Sequence, residues 1–519
     1  MRDHHRIEQI AMPRRLNESI RQCSNADTAS AELHRALDLG MLFKGRPDVF
    51  ERRMSADEIR DRLVTGLPAE GLTVEAALDH FIAEVLPLCK NEASPRFLGF
   101  GDTGDDPGAL VGGVLAMLTQ QNLINQSFDS PSATFIEIAV LRWLRELIGY
   151  RNPAVADVSS VWDVGGVVTH GGTTSNAVAM LLAREAKAPG TMQHGVTDVE
   201  GLGVVVPRRI GHYSVKSALA WIGVGTRVIE AKTRGFRYDL DDLARLLAEH
   251  RGRLMAVVAY AGDSRTQTVD HLREVHDVVR AADPAIWLHA DACWGFVATF
   301  SDALRHLVAG IELFDSVTVD PHKVMAVPYG LSALLVRRPD SLRMVASHSD
   351  LIMQEEFAFG QATPFIGTKD WSSLKLWMMM VTNGRTGLAE IADRRITLAR
   401  RFSELVDERP GLRRLHEPDL AAVAFACLPS GLSADGCLTA ADLEEINVLN
   451  RRVHRRMLED GRWYLHHFTL PDDNGVLRRG EIVHALRFMA NNPRLTDSHM
   501  TQVLDYVAQL CRLVDVCDE

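Results

Sequence analysis

The sequence predicts an α/β fold built on a mostly parallel sheet flanked by helices, and three observations predict it. Between about residues 160 and 340, seven short runs rich in β-branched residues alternate with helical patterns, which is the signature of βαβ units. Words that carry chemistry stand directly after several of these runs, where an open α/β sheet places its ligand contacts. The 519 residues, 46% hydrophobic and 24% charged, also sit at the globular average and can bury a large core.

Taken in order, the first 40 or so residues are polar and weakly periodic, and an extension or arm is expected there. Residues 56–63 (ADEIRDRL) and 74–86 (VEAALDHFIAEVL) repeat apolar residues at three-and-four spacing, which predicts two amphipathic helices. Residues 133–150 repeat the pattern and close on Gly149. The seven strand-like runs are 164–170, 203–207, 226–231, 253–260, 285–291, 315–320 and 332–337, with helices expected at 215–222, 241–250 and 271–282. A long helix over 372–406 leads to a tail of strand 421–428, helix 443–460, strand 483–490 and a final helix, a smaller α+β domain. The expected organisation is an N-terminal arm and helical segment (1–93), a large domain (94–385) and a small C-terminal domain (386–519).

Composition excludes several classes. Lys and Arg total 57 against 68 Asp and Glu, a net charge of −11, so bulk charge recruits neither nucleic acid nor anionic lipid. No apolar run approaches the roughly 18 residues that span a bilayer, and the charged N-terminus lacks a secretory apolar stretch. A cytoplasmic protein without nucleic-acid or membrane partners is expected. Seven scattered cysteines, none spaced C-x-x-C, suggest reduced thiols and no metal site.

The strongest chemical feature is Asp320-Pro321-His322-Lys323 after the strand DSVTV. A lysine ending a buried strand reads as a Schiff-base lysine whose amine is freed by a burial-lowered pKa, against the alternative of an exposed loop lysine. Asp291, closing the strand IWLHAD, can hold a pyridine nitrogen protonated, the requirement of pyridoxal phosphate; taken alone it reads more readily as a cap or salt-bridge residue, and the pairing with Lys323 reverses that. Thr169 to Asn176 (THGGTTSN) offers backbone N–H groups and hydroxyls to a phosphate at a strand-to-helix turn, without the spacing of a dinucleotide fingerprint or a P-loop. His212, ahead of the helix SALAWIG, can stack on an aromatic cofactor.

This order of phosphate turn, histidine, aspartate and lysine resembles the group II pyridoxal-phosphate-dependent amino-acid decarboxylases, whose glutamate, aromatic-L-amino-acid, tyrosine, diaminobutyrate and valine-type members share the aminotransferase-like fold type I. The family's Ser-Pro-x-x-Thr-x-x-Glu word matches Ser130, Pro131, Thr134 and Glu137, its Pro-Arg-Phe word Pro95 to Phe97, and its Leu-Lys-Leu-Trp word Leu374 to Trp377. The resemblance implies pyridoxal 5'-phosphate held by Gly172, Thr173, Thr174, His212, Ser264, Asp291, Ala292, His322 and Lys323. It implies a homodimer with the active site at the interface, Leu123 and Asn125 approaching the neighbouring cofactor. Its substrate-facing words, Phe97, Leu98, Leu123, Asn125 and Phe128, are mostly apolar. That favours an L-amino acid with an apolar side chain (valine, leucine, methionine or aromatic), because an apolar pocket leaves a carboxylate unpaired. The implied reaction is α-decarboxylation to the amine and CO₂.

Two departures qualify the match. Arginines that usually precede Leu-Lys-Leu-Trp are reduced to Lys369, which puts an ion pair built on them in doubt. No tyrosine occurs from Gly330 to Trp463, although relatives carry one on the loop there, thought to protonate Cα. His348 is the candidate substitute, and without a donor oxygen could compete and give an aldehyde. A carbon–carbon lyase of the same fold and a catalytically silent homologue are the remaining alternatives.

Overall fold

All seven predicted runs form one sheet in the computed structural model, which describes residues 26–350, 356–432 and 438–515. The strands are β1 (Gly166–Thr169), β2 (Gly203–Pro207), β3 (Ile229–Ala231), β4 (Leu254–Tyr260), β5 (Trp287–Asp291), β6 (Ser316–Val319) and β7 (Ser332–Val336). Their spatial order is β1-β7-β6-β5-β4-β2-β3, parallel from β6 to β3, with β7 antiparallel to both its neighbours. Every residue of β4 (LMAVVAY) is buried, as a central strand covered on both faces requires, and each such aliphatic side chain contributes roughly 1.5–3 kcal/mol.

The chain divides into two compact units, Met1–Ser94 and Pro95–Glu519. The first contains α1 (Ala26–Gly45), α2 (Ala56–Leu63) and α3 (Val74–His80). The described part of the expected arm, from Ala26 on, is therefore helix. Ser55 starts α2 with a capping box, its hydroxyl accepting from the Glu58 N–H while Glu58 accepts from the Ser55 N–H. Thr73 caps α3, and the predicted helix continues as a π-helical turn at Phe81–Val85.

The second unit carries α4 (Pro107–Thr119), α5 (Ala133–Leu147), α6 (Gly172–Lys187), α7 (Tyr213–Trp221), α8 (Leu240–Glu249), α9 (Leu272–Ala282) and the single turn α10 (Pro321–Val324). Then come α11 (Ser373–Asp407), α12 (Ala440–Asp460) and α13 (Asp497–Asp515). The expected boundary at residue 385 falls inside α11, one residue past Gly384, whose φ of 61° and ψ of −174° break the helix. The tail builds a four-stranded antiparallel sheet of β8 (Leu412–Arg414), β9 (Ala422–Cys427), β10 (His466–Pro471) and β11 (Ile482–Met489), ordered β8-β9-β11-β10. Among the described residues no helix is long and apolar enough to cross a membrane, and no cluster of three or more potential ligands could hold a metal ion. Cys89, Cys293, Cys427 and Cys511 are free thiols; Cys23, Cys437 and Cys517 lie outside the described residues.

Candidate active site

The carboxyl ends of β1, β4, β5 and β6 open onto a cavity of about 400 Å³. His170 to Thr173, His212, Ser264, Asp291, His322 and Lys323 line it, so the chain brings together the four words read from the sequence. Tyr213, Tyr260, Trp294, Asp320 and Tyr329 complete much of the wall.

The turn after β1 delivers its backbone to the cavity because α6 begins there without a capping side chain on Gly171. A Cβ at Gly172 would stand 2.7 Å from Asp320 Oδ2 and 2.8 Å from Cys293 Sγ, so only glycine allows this close approach. Thr174 stands behind the lining and closes the turn, its N–H donating to Gly171 O. Ala292, also behind the lining, donates its N–H to Thr318 O.

Asp291 ends β5 nearly buried, one carboxylate oxygen accepting from Asn176 Nδ2 at 2.9 Å and the other from the Cys293 N–H at 3.2 Å. His212 caps α7; its Nδ1 accepts from the Ser214 N–H at 3.3 Å and lies 2.7 Å from Ser214 Oγ, while the His212 backbone N–H donates to Tyr260 Oη. Burial pulls the His212 pKa below its ordinary value, so the ring is neutral near pH 7. Burial, reinforced by Asp291, raises the Tyr260 hydroxyl.

Lys323 departs from expectation. Its Nζ lies 2.7 Å from Asp320 Oδ2 and 5.1 Å from the Trp294 ring centre. Burial opposes the charge, but Asp320, with Cys293 and Asp291 behind it, outweighs burial and raises the ammonium's pKa. The expected lowering weighed burial without the carboxylate one helical turn earlier. Asp320 is fully buried, also accepts from the Ser332 hydroxyl, and has its pKa lowered by Lys323 and His322 against the opposing cost of burial. His322 donates from Nδ1 to Leu331 O at 2.7 Å.

The Lys369 ion pair, doubted from sequence, is made. Lys369 Nζ sits 3.1 Å from Glu137 Oε1 and donates to Val168 O on β1 at 2.8 Å, with both side chains buried. A lysine thus fills the place of an arginine.

The five residues expected to face the substrate do not line the cavity of the chain. Phe97 stacks on Tyr464 at 4.9 Å, Leu98 belongs to the core under the small sheet, and Leu123 to the main core. Asn125 is buried and caps its own loop, accepting from the Ser127 N–H, while Phe128 is exposed. His348 is exposed and outside the lining, and residues 351–355 of its loop lie outside those described. What adjoins the site instead is a second space of about 410 Å³, sharing His212, Tyr213 and Ser264 and walled by Phe100, Phe468, Lys216, Arg265, His466 and Arg487. Arg487 is buried between the Phe100 and Phe468 rings and donates to Gly99 O at 3.1 Å and to Ser264 O. Burial lowers its pKa to about 10, which leaves it charged at neutral pH.

The donor set fits pyridoxal phosphate: an uncapped helix start against a glycine cradle for the phosphate, a hydrogen-bonded carboxylate for the ring nitrogen, and an amine on the same cavity wall. Sequence reasoning missed Asp320 and Asn176, which stand inside the quoted words, and Tyr260 and Arg487, which only the fold brings near.

Comparison with known proteins agrees. The family described as pyridoxal-dependent decarboxylase conserved domain matches residues 58–428. Human cysteine sulfinic acid decarboxylase is 30% identical over 473 residues, covering 88% of this chain and 89% of that protein. The aromatic-L-amino-acid decarboxylase of Bacillus atrophaeus is 24% identical, covering 89% and 91%. The crystal structure of mouse CSAD shares the fold with a TM-score of 0.81 at 24% identity, covering 96% of this chain and 99% of that one.

Proposed function

The chain belongs to the pyridoxal-dependent decarboxylase family, a carboxy-lyase with pyridoxal phosphate as cofactor, and from that premise we propose that it removes the α-carboxyl group of an L-amino acid to give the amine and CO₂. The observation that carries this is the meeting of Lys323, Asp291, His212 and the turn 171–173 in one cavity. The bound cofactor supplies an electron sink for the pair left on Cα when CO₂ departs. The protein's part is positional and electrostatic. Lys323 would hold the aldehyde carbon, Asp291 would keep the ring nitrogen protonated, His212 would pack against the ring, and the start of α6 with Thr173 would bind the phosphate, backed by Thr174. Ser264, Ala292 and His322 support these groups.

The side chain divides two readings. The apolar one rests on Phe97, Leu98, Leu123 and Phe128, of which only Phe128 is exposed for a neighbouring subunit's site. A side chain ending in an anion is better supported by Arg265, Lys216 and Arg487 around the adjoining space. A homodimer is part of the proposal; α4 exposes Val111, Leu115, Met117 and Leu118, and Phe128, Phe135 and Val381 are exposed as well, apolar surface that suits a partner. Reprotonation of Cα is assigned to His348.

Purified holoenzyme given a panel of L-amino acids, with CO₂, amine, aldehyde and peroxide measured together, tests the reading. CO₂ with equimolar amine from cysteine sulfinate, aspartate or glutamate is expected. Turnover confined to valine, leucine, methionine or aromatic substrates would restore the apolar reading, and no CO₂ from any would refute decarboxylation.

A further inference from the structure

A row of buried polar side chains runs beneath the cavity floor. Trp287 Nε1 donates to Ser316 Oγ at 2.8 Å, and Ser316 Oγ lies 2.8 Å from His289 Nδ1. His289 Nε2 is 3.1 Å from Asn176 Oδ1, and Asn176 Nδ2 donates to both Asp291 Oδ2 (2.9 Å) and Ser214 Oγ (2.8 Å). Ser214 Oγ lies 2.7 Å from His212 Nδ1. Trp287, His289 and Asp291 alternate along β5 and so share one face of the strand. All six side chains before His212 are buried, Asn176 at 1% exposure.

The carboxylate end fixes the direction of the bonds. An ionised carboxylate can only accept, so the atom Asn176 turns to Asp291 is its NH₂ group, and its Oδ1 faces His289. The neutral His289 ring must then carry its proton on Nε2 and accept the Ser316 hydroxyl proton at Nδ1, while Ser316 Oγ also accepts from the Trp287 indole; Thr318 Oγ1, at 3.5 Å, is its weaker second neighbour. The second N–H of Asn176 goes to Ser214 Oγ; His212 Nδ1, which accepts the Ser214 backbone N–H, takes the hydroxyl proton as well, leaving the neutral His212 ring protonated on Nε2. The titratable groups around this row are Asp291, His289 and His212, with Lys323, Asp320 and Cys293 across the cavity.

We propose that Asn176 is a positioning residue that joins two sides of the cofactor site: it holds the Asp291 carboxylate and, through the Ser214 hydroxyl, braces His212. The proposal rests on the reading of Asp291 and His212 as cofactor contacts.

Asn176→Asp keeps the shape but turns two donors into acceptors facing Asp291 and Ser214. In the full-length protein the affinity for pyridoxal phosphate should fall about tenfold or more, as when a hydrogen bond to a charged group is replaced by like charge. The pH at which the bound cofactor's visible absorption changes should move with it, while the urea midpoint serves as the folding control. Ser214→Ala, which removes the hydroxyl between Asn176 and His212, should shift that absorption pH in the same direction by a smaller amount. Should Asn176→Asp fail to fold, Ser214→Ala decides alone: a shift supports the bracing of His212 through Asn176 and its absence overturns it. Wild-type cofactor affinity and absorption pH in Asn176→Asp, or changes no larger than those in the urea midpoint, would also overturn it. Failure of the wild-type chain to bind pyridoxal phosphate would instead sink the functional reading on which it stands.

Discussion

Lys369→Met should destabilise the protein far more than an exposed lysine could, because it strands the Glu137 carboxylate in the core. Both side chains are buried, at 3% and 0% exposure, and Nζ lies 3.1 Å from Oε1. Removing one partner of such a pair costs about 3–5 kcal/mol, of which the lost hydrogen bond to Val168 O is roughly 1 kcal/mol. Replacing both, as in Lys369→Met with Glu137→Leu, should recover the stability to within about 1.5 kcal/mol, since a volume-conserving apolar pair needs no desolvation of charge. The loss should depend on pH. Burial already raises the Glu137 pKa against the opposing pull of Lys369, and the variant loses that opposing charge. A raised carboxyl pKa gives stability that is complete below the unfolded value of 4.5 and is lost as pH rises through the folded value, so the penalty is larger at pH 7.5 than at pH 5. Urea unfolding of the holoenzyme followed by circular dichroism, for both single variants and the double, measures the coupling. A single-variant loss below about 1 kcal/mol, or a double variant no better than Lys369→Met, would refute the reasoning.

Three further outcomes are expected. His289, its pKa pushed down to about 4 by burial, must gain a proton on unfolding below its ordinary 6.5. Its stabilisation is present above pH 6.5 and falls by about 3 kcal/mol as pH drops through about 4, so His289→Gln should flatten the urea midpoint between pH 7 and 4.5; an unchanged slope argues against it. Asp291→Asn keeps volume and removes the anion, and kcat should fall by about two orders of magnitude; a fall within about threefold would show that the ring nitrogen is controlled otherwise. His348→Phe should raise aldehyde and peroxide per CO₂ released, and an unchanged product ratio would remove His348 from the mechanism.

The sheet was legible because parallel strands buried on both faces leave continuous apolar runs, as in Leu254–Tyr260, and because the residues that follow them must be polar to be useful. Lys323, Asp291, His212 and the glycine turn were legible for the same reason. The Lys323 charge state was not, since it depends on a 2.7 Å contact with Asp320 rather than on burial alone. Gly384, inside a continuous helical pattern, gave no warning that it breaks α11, and the start of α1 lies in a stretch too weakly periodic to announce a helix. Arg487 reaches Ser264 across 223 positions, a proximity that only the packing of the small sheet creates. The apolar reading of Phe97 and Leu98 failed to find the cavity because these two residues form the seam with Tyr464 and the small-sheet core.

The amine that carries the cofactor decides the chemistry of the site. Reduction of the pyridoxal-phosphate-loaded protein with borohydride, followed by peptide mapping, should place the pyridoxyl group on Lys323, and Lys323→Ala should bind the cofactor reversibly without turning over any amino acid. A pyridoxyl group on another lysine, or turnover by Lys323→Ala, would contradict it.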